Sequence, residues 1–419
     1  MARLIPLGNG GAATSALSVG WPGKDGVATG KTPFATPPLA RPANPPADTG
    51  AGPFPAPSTA TVGFKAARLG AALRAGLPVL PGWVVPVGAG ESAMGTGVAA
   101  IRANGVGAGR VAVLGLELDA ALVAELRDAV DALGGRVIVR SSSPLEGDAR
   151  WAGAFSSVTG VGREDVATAV RSCWASAFAV DPLRRLEECG LQLEALVLGA
   201  LVQPEIVPEA GGVARVQAGA VTVEGVLGHP GALLSGWAEG ARDGGLAGLI
   251  GAEIVAEAAL LADRVHAELG DDVIEWAACD GQVWLLQSLR STPDNRGAEP
   301  AMPMPADGQR VAGRPAAVGT AAGPLVACWP HETGAKDCRG AIVLVDRPVP
   351  ALAPLLFGAR GVIARAGAAS SHLAEVARSL GVPMVVGCHP ETVTGPNPAA
   401  GAWLATIDGG TGDVVLTPA

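Results

Sequence analysis

The segment SSHLAEVARSLGVPMVVG, residues 370–387, places a histidine directly after two serines and at the start of a short helical pattern. Ser370 and Ser371 are good N-cap residues, and Gly381 is a typical end for the helix that LAEVARSLG predicts. A phosphoryl group on His372 would lie near free backbone N–H groups and the positive end of the helix dipole. Because a neutral imidazole nitrogen is a competent nucleophile, the segment indicates a histidine that carries phosphate. A capped helix with an incidental histidine is the alternative for this segment alone.

The bulk composition restricts the class of protein. The chain has 419 residues, which is enough for two or three domains, and its net charge of −9 argues against a general nucleic-acid binder. No run of about 18 apolar residues occurs, so no transmembrane helix is predicted, and Pro6 with a glycine cluster interrupts any secretory signal. The six cysteines form no CxxC pair, which is typical of reduced thiols, and we predict a cytoplasmic protein without a membrane partner.

Composition also divides the chain into segments. Residues 1–60 are rich in Pro, Gly and Ala and bury too little apolar surface to offset their ordering entropy, which predicts a disordered extension. A second segment rich in Pro and Gly begins at residue 292 and predicts a linker over residues 292–309. Two folded units are therefore expected, over residues 61–291 and 310–419.

Two cations lie where predicted elements begin or end. Lys65 opens the helix that FKAARLGAALR predicts, directly after Gly63. Arg140 ends the strand that VIVR predicts and precedes three serines. A cation beside small hydroxylated residues at a strand end suits phosphate oxygens. Taken alone, each residue also fits an ordinary surface charge.

The stretch VIEWAACDGQVWLLQ predicts a hairpin around Asp280-Gly281 with a polar residue in each apolar strand. A two-residue turn would send Gln287 to the opposite face from Glu275. A three-residue loop with Gly281 in the left-handed region would bring Gln287 to the same face, one diagonal step from Glu275. Only that register lets both oxygens reach one cation such as Mg²⁺, so we predict the three-residue loop. The alternative is a partly solvated sheet face without a metal.

These segments occur together, in one order, in the phosphoenolpyruvate synthase and pyruvate phosphate dikinase group, which includes rifampicin phosphotransferases. The chain resembles that family over roughly residues 61–291 and 310–419. The resemblance implies a mixed α/β and α+β multidomain fold, in which an ATP-grasp domain precedes a swivelling β/α phosphohistidine domain. Motif by motif, the resemblance assigns His372 as the phosphoryl carrier. It also implies a set of residues that contact ATP: Lys65, Arg140, Gly153, Ser157, Gln203, Glu275 and Gln287. Of these, Glu275 and Gln287 are implied to bind Mg²⁺ as well.

The family mechanism implies an ATP-dependent phosphotransferase that phosphorylates its own histidine, releases AMP and phosphate, and passes the phosphoryl group to an acceptor. No stretch of the sequence is long enough for the family's phosphoenolpyruvate/pyruvate-binding barrel, so the unknown acceptor is expected on or bound by another chain, as in phenylphosphate synthase. The linker would let the histidine domain travel. The small residues 367–369 leave room for a phosphate, so the ring of His372 is expected to be accessible to solvent at a helix N-terminus.

Three positions depart from the family pattern. Leu289 stands where the family has an arginine, with Arg290 one residue later, and a one-residue shift along a strand reverses the face. Ala368 replaces a glycine. Glu375 replaces an apolar residue at i+3 from His372, where an anion would disfavour a phosphohistidine or orient the neutral imidazole. These departures favour the alternative of a non-catalytic, nucleotide-binding regulatory protein derived from the family.

Overall fold

The computed structural model describes residues 4–8, 58–291, 302–329, 338–395 and 398–419. Within these ranges the chain forms three sheets, of which two belong to a pair of N-terminal lobes and one to a C-terminal unit. None of the described helices is both long enough and apolar enough to cross a bilayer. Most of the predicted extension and much of the predicted linker, residues 9–57 and 292–301, lie outside the described residues.

The first lobe is a five-stranded sheet covered by helices. Its strands are β1 (Ile5–Pro6), β2 (Trp83–Val85), β3 (Val137–Ser142), β4 (Ser157–Val161) and β5 (Gly199–Pro204), in the spatial order β1-β2-β5-β3-β4. Its helices are α1 (Thr59–Val62), α2 (Phe64–Arg74), α3 (Val87–Asn104), α4 (Val106–Leu114), α5 (Ala120–Ala132), α6 (Val166–Ala175) and α7 (Val180–Glu188). Trp151, Trp174 and Phe178 are among the large side chains that fill the core between sheet and helices.

The second lobe is an antiparallel sheet with helices on one face. Its strands are β6 (Ala210–Gln217), β7 (Ala220–Leu227), β8 (Ala241–Arg242), β9 (Val273–Cys279) and β10 (Gln282–Leu289), in the order β10-β9-β6-β7-β8. Its helices are α8 (Gly231–Leu234), α9 (Asp243–Ile250) and α10 (Ala252–Leu269). Helix α10 packs its apolar stripe against Ile274 and Trp276, which leaves the opposite face of the sheet to line a cleft.

The C-terminal unit is an eight-stranded mixed sheet in the order β11-β18-β17-β13-β14-β15-β16-β12. Its strands are β11 (Gln309–Ala312), β12 (Arg314–Ala317), β13 (Thr320–Ala327), β14 (Ile342–Val345), β15 (Gly361–Ala364), β16 (Met384–Val386), β17 (Trp403–Asp408) and β18 (Asp413–Pro418). Its helices are α11 (Ala353–Leu356), α12 (His372–Leu380) and α13 (Glu391–Thr394). Strands β13 to β16 run parallel, and α12 connects β15 to β16 over a core of small aliphatic side chains.

The structure confirms the predicted fold class and corrects the reading of the N-terminal extension at residues 4–8. There Ile5 pairs with Val84 and extends the first sheet, while Leu4 and Leu7 are buried. Two buried leucines and strand hydrogen bonds offset the ordering entropy of this short stretch, although its composition differs little from the rest of the extension. At the other boundary, residues 302–308 carry no helix or strand, and β11 begins at Gln309.

Candidate active site

A cleft of about 270 Å³ lies between the two lobes, and α12 of the C-terminal unit closes one side of it. Residues far apart in the sequence meet here because β3 and β5 of the first lobe face β9 and β10 of the second. All the residues assigned from the sequence line this cleft: Lys65, Arg140, Gly153, Ser157, Gln203, Glu275, Gln287 and His372. The structure therefore brings the complete predicted set into one place.

Lys65 is positioned by a close approach of helix α2 to strand β3. Gly63 precedes the helix at φ +78°, and a Cβ atom there would lie only 2.1 Å from the carbonyl oxygen of Ser142, so glycine is required. Lys65 Nζ is buried and donates to the carbonyl of Ser141 at 3.0 Å and to Glu146 Oε1 at 2.8 Å. The ammonium is thus fixed at the cleft wall, with two of its three donors held by protein oxygens.

Glu146 is a cleft residue that the sequence analysis did not single out. Its other carboxylate oxygen accepts from the backbone N–H of Ser143 at 2.8 Å, and Ser143 caps the same short 3₁₀ turn. The pattern Ser-x-x-Glu at residues 143–146 is a capping box, and that signal could have located it. Glu146 therefore orients Lys65 and keeps its positive charge compensated.

The hairpin of β9 and β10 differs from the predicted one in its turn but not in the face that its polar residues share. Gln282 pairs with Cys279, so the turn has two residues, and the predicted three-residue loop is wrong. Asp280 and Gly281 both have positive φ, 53° and 70°, as a type I′ turn requires; for Gly281 this confirms the prediction. A register shift between Leu285 and Gln287 then restores the common face.

That register shift is a β-bulge at Leu286, and it places Gln287 directly opposite Glu275. Arg140 reaches across from the first lobe, and its Nη1 donates to the carbonyl of Leu286 at 2.5 Å. Its Nη2 lies 3.9 Å from Glu275 Oε2, and burial lowers the pKa of the guanidinium. The bulge therefore has two effects. It places the side-chain oxygens of Glu275 and Gln287 on one face, and it gives the buried arginine a carbonyl partner.

At the C-terminal end of β10, Arg290 points away from the cleft, as the one-residue shift from the family's arginine position predicts. Leu289 pairs with Val273, and both side chains line the cleft. Arg290 is exposed, and its Nε donates to the carbonyl of Gly270 at 2.9 Å, away from the cleft. The bulge at Leu286 is too early in the strand to bring Arg290 back to the cleft face, so this strand contributes no guanidinium there.

Gln203 and Ser157 complete the first-lobe side of the cleft. Gln203 is buried on β5, and its Nε2 donates to the carbonyl of Leu80 at 2.9 Å. Ser157 begins β4 and is exposed to solvent. His229, which the sequence analysis also passed over, lines the cleft from the second lobe, and burial lowers its pKa, with the charge of Arg140 acting in the same direction.

His372 is the first residue of α12, as predicted, with Ser371 as the N-cap whose hydroxyl accepts from the backbone N–H of Ala374 at 3.4 Å. The ring is half-buried rather than freely accessible, because it packs on Gly153 of the first lobe. Gly153 has φ +67°, and a Cβ atom there would lie 2.8 Å from His372 Cδ2. Burial lowers the pKa of His372 below its ordinary 6.5, so the neutral, nucleophilic form predominates near pH 7.

Two further polar groups of the C-terminal unit face the cleft. Ser370 is buried, and its hydroxyl has no hydrogen-bond partner among the described residues. Glu375 lies one turn along α12 and forms ion pairs with Arg215 of β6 and, at 2.6 Å, with Arg378 of its own helix. Burial opposes ionisation of Glu375, but the two guanidinium groups hold its pKa below the ordinary value. The carboxylate is therefore charged and compensated.

Two protein-family models match parts of this chain. The family model of the pyruvate phosphate dikinase AMP/ATP-binding domain matches residues 59–232, and the model of the mobile domain of PEP-utilising enzymes matches residues 338–412. A probable phosphoenolpyruvate synthase of Methanothermobacter thermautotrophicus is 26% identical over 296 residues, which are 60% of this chain and 43% of the relative. One of Archaeoglobus fulgidus is 28% identical over 145 residues, 34% of this chain and 19% of the relative. The chain spans less than half the length of either relative.

Among solved structures, the holo form of aconitase X from Thermococcus kodakaraensis is 16% identical, covers 26% of this chain and 99% of that chain, and has a TM-score of 0.21. A score this low bears on neither fold nor function. The two family models, in contrast, match in the order that the sequence resemblance implies, and the curated relatives carry the same family name. With an AMP/ATP-binding domain of the ATP-grasp type followed by a PEP-utilising mobile domain, the chain belongs to the phosphoenolpyruvate synthase and pyruvate phosphate dikinase family.

Proposed function

We propose that the protein is an ATP-dependent phosphotransferase component that phosphorylates His372 and passes the phosphoryl group to an acceptor. The observation that carries this proposal is the position of the imidazole, which faces the cleft of the ATP-binding domain and packs on Gly153. A neutral ring nitrogen in that position is close to the groups that would hold the polyphosphate. The proposal extends the family assignment to this chain's own residues.

In the proposed reaction a nitrogen of His372 forms a bond to phosphorus while a phosphoanhydride P–O bond breaks. Overall, ATP, water and the histidine give AMP, inorganic phosphate and phosphohistidine, as the family resemblance implies. Lys65 and Arg140 would bind phosphate oxygens and offset their negative charge, and Ser370 would donate its unpartnered hydroxyl to the transferred group. Catalysis of this kind depends mainly on positioning and charge neutralisation.

Glu275 and Gln287 would hold Mg²⁺ together with the phosphates. They face each other across the hairpin, both line the cleft, and a carboxylate with an amide carbonyl supplies the hard oxygens that this cation prefers. Such a cation would complete its shell with phosphate oxygens and water. When bound, the metal would neutralise charge on the polyphosphate.

The acceptor would be held by a separate chain. The two matched domains are an AMP/ATP-binding domain and a mobile domain of PEP-utilising enzymes. A carrier domain whose linker releases it from the cleft could deliver the phosphoryl group to such a partner. ATP, an acceptor of unknown identity and a substrate-binding subunit are therefore the partners that we propose.

Intact-mass measurement after incubation with Mg²⁺ and ATP tests the function directly. We expect the addition of one phosphoryl group that is labile to acid and stable to base, as nitrogen-bound phosphate is. Acid-stable phosphate on a serine would contradict the carrier assignment. ATP binding without any labelling, both alone and with a candidate acceptor protein, would support the non-catalytic regulatory alternative instead.

The pH dependence of labelling follows from the environment of His372. Because burial lowers the pKa of this ring below 6.5, its neutral form stays available as the pH falls from 8 to 6.5. We expect the ring proton signals that disappear in His372→Ala to titrate with a midpoint below 6.5 in an NMR experiment. A midpoint above 6.5 would mean that nearby carboxylates outweigh burial and would contradict this account.

Gly153→Ala tests the contact between the imidazole and the ATP-binding domain. The added methyl group would meet His372 Cδ2 at 2.8 Å and displace the ring from the cleft. Labelling should slow by about a hundredfold because a shift of the order of 1 Å is enough to misalign the reacting atoms. Gly190→Ala is the matched control, since Gly190 has φ +66° with no atom within 4 Å of the added carbon. Equal rates in the two variants would rule out the contact as a determinant.

A further inference from the structure

We propose that Arg215 is a positioning residue for His372, and that the Arg215–Glu375 ion pair docks the C-terminal unit until the histidine is phosphorylated. This inference rests on the proposed function, because it concerns the delivery of the imidazole to the ATP cleft. Arg215 belongs to the second lobe and Glu375 to α12, so the pair exists only while the two units are in contact.

The position of Arg215 connects the docking contact to the metal-side wall of the cleft. On β6, Val213 pairs with Glu275 and Arg215 pairs with Val273, so Arg215 lies on the strand next to the hairpin and two residues beyond the cleft-lining Val213. Side chains two residues apart on a strand share a face. Arg215 is therefore directed from the cleft face toward α12, where it meets Glu375.

Glu375 transmits this contact to the histidine. It lies three residues after His372 on α12, and residues at this spacing are neighbours on one helix face. Holding the carboxylate fixes the rotation and depth of the first turn of the helix, which carries the imidazole. A docking contact elsewhere in the unit would leave more freedom at the ring.

Because this ion pair is buried, docking should depend strongly on the presence of both of its partners. Its two side chains are only 13% and 7% exposed, whereas the Arg314–Glu239 pair between the same units is 40% and 52% exposed. Among the described residues, Arg215–Glu375 is the ion pair between the units in which both side chains are buried from solvent to this extent. Loss of one partner from a buried pair is strongly unfavourable, while replacement of both by apolar groups is often tolerated.

Arg378 gives Glu375 a second partner that does not depend on docking. It belongs to the same helix, pairs with the carboxylate at 2.6 Å and also donates to the carbonyl of Ala369 at 2.5 Å. Glu375 therefore keeps one cation when the unit leaves the cleft, and Arg215 is the part of the cluster that senses the position of the unit.

Phosphorylation of His372 would weaken this contact. A phosphoryl group carries about −1.5 to −2 charges near pH 7, and it would arise one helical turn from the buried carboxylate of Glu375. Like charges at this spacing repel each other. The ion pair thus favours the docked unit before transfer, and the product charge favours its release afterwards.

The experiment compares Arg215→Met with Arg378→Met and with the double variant Arg215→Met/Glu375→Met. Arg215→Met should lower the labelling rate at saturating ATP more than tenfold, with the ATP dissociation constant changed less than twofold. Arg378→Met, which removes only the partner within the helix, should label faster than Arg215→Met. The double variant should recover most of the rate, because it removes the buried carboxylate together with the cation that meets it across the interface. A wild-type rate in Arg215→Met, or no recovery in the double variant, would overturn the proposal.

Docking itself is measured by a disulfide between Asp148→Cys and Ser379→Cys, whose native side-chain oxygens lie 3.5 Å apart across the interface. Cys189 is replaced by Ser in this background, because it is the native cysteine that is not buried. Arg215→Met should reduce the yield of this cross-link. Mg²⁺ and ATP should reduce it in the wild-type background but not with His372→Ala. If the protein never labels, the proposed function fails, while an unchanged cross-link in Arg215→Met would separately defeat the positioning role.

Discussion

His372→Ala is expected to abolish the acid-labile phosphoryl mass that Mg²⁺ and ATP add, while ATP binding stays within about twofold of the wild type. The reason is the separation of roles in the structure. The imidazole comes from α12 of the C-terminal unit, whereas Lys65, Arg140 and Gln203 come from the first lobe of the ATP-binding part of the cleft. Intact mass and a nucleotide-binding titration on the same sample measure both quantities.

The matched control is His389→Ala. His389 belongs to the same C-terminal unit, but its side chain is 59% exposed and pairs with Glu391 rather than facing the cleft. This variant should label like the wild type. Unchanged labelling in His372→Ala would disprove the carrier assignment, and loss of labelling in both variants would point to a general effect on the C-terminal unit.

Glu275→Ala should reduce labelling by at least about a hundredfold through loss of the proposed metal site. The substitution removes the carboxylate that faces Gln287 and lies 3.9 Å from Arg140, so the cleft loses an oxygen ligand and a buried guanidinium loses a counter-charge. Unlike His372→Ala, this variant should also weaken the binding of Mg²⁺-ATP. Labelling rates measured over a series of Mg²⁺ concentrations distinguish a weaker metal site from a misfolded one.

Glu224→Ala provides the matched control for Glu275→Ala. Glu224 is a buried glutamate in the same sheet that pairs with Arg242 on the outer strands, and it is not among the residues that line the cleft. Its loss should lower stability, since Arg242 loses its partner, but leave labelling of the folded protein intact. Equal loss of labelling in the two variants would show that buried charge in this sheet matters only for folding.

Local sequence patterns were sufficient for the types of element that carry the site. The capped helix at Ser371–His372, the strand before the serines that follow Arg140 and the hairpin at Asp280-Gly281 all depend on interactions between near neighbours, so they were predicted from the sequence. The motif resemblance added the set of cleft residues, and the family models confirm the family.

The hairpin register was decided by tertiary structure. The requirement that Glu275 and Gln287 share one face pointed to a three-residue loop, because a regular two-residue hairpin separates them. The protein instead forms the two-residue turn and inserts a bulge at Leu286, whose carbonyl accepts from Arg140 of the other lobe. A bulge satisfied by a residue about 150 positions away leaves no local signature in the sequence.

The same distinction applies to the histidine. By itself the sequence determined that His372 begins a capped helix, because the serine cap and the apolar spacing are local. Only the tertiary structure decided that the ring is half-buried on Gly153, that its pKa is lowered, and that Glu375 is paired with Arg215. These properties come from surfaces of separate units that meet in space, and burial and charge depend on every group within a few ångströms, whatever its distance along the chain.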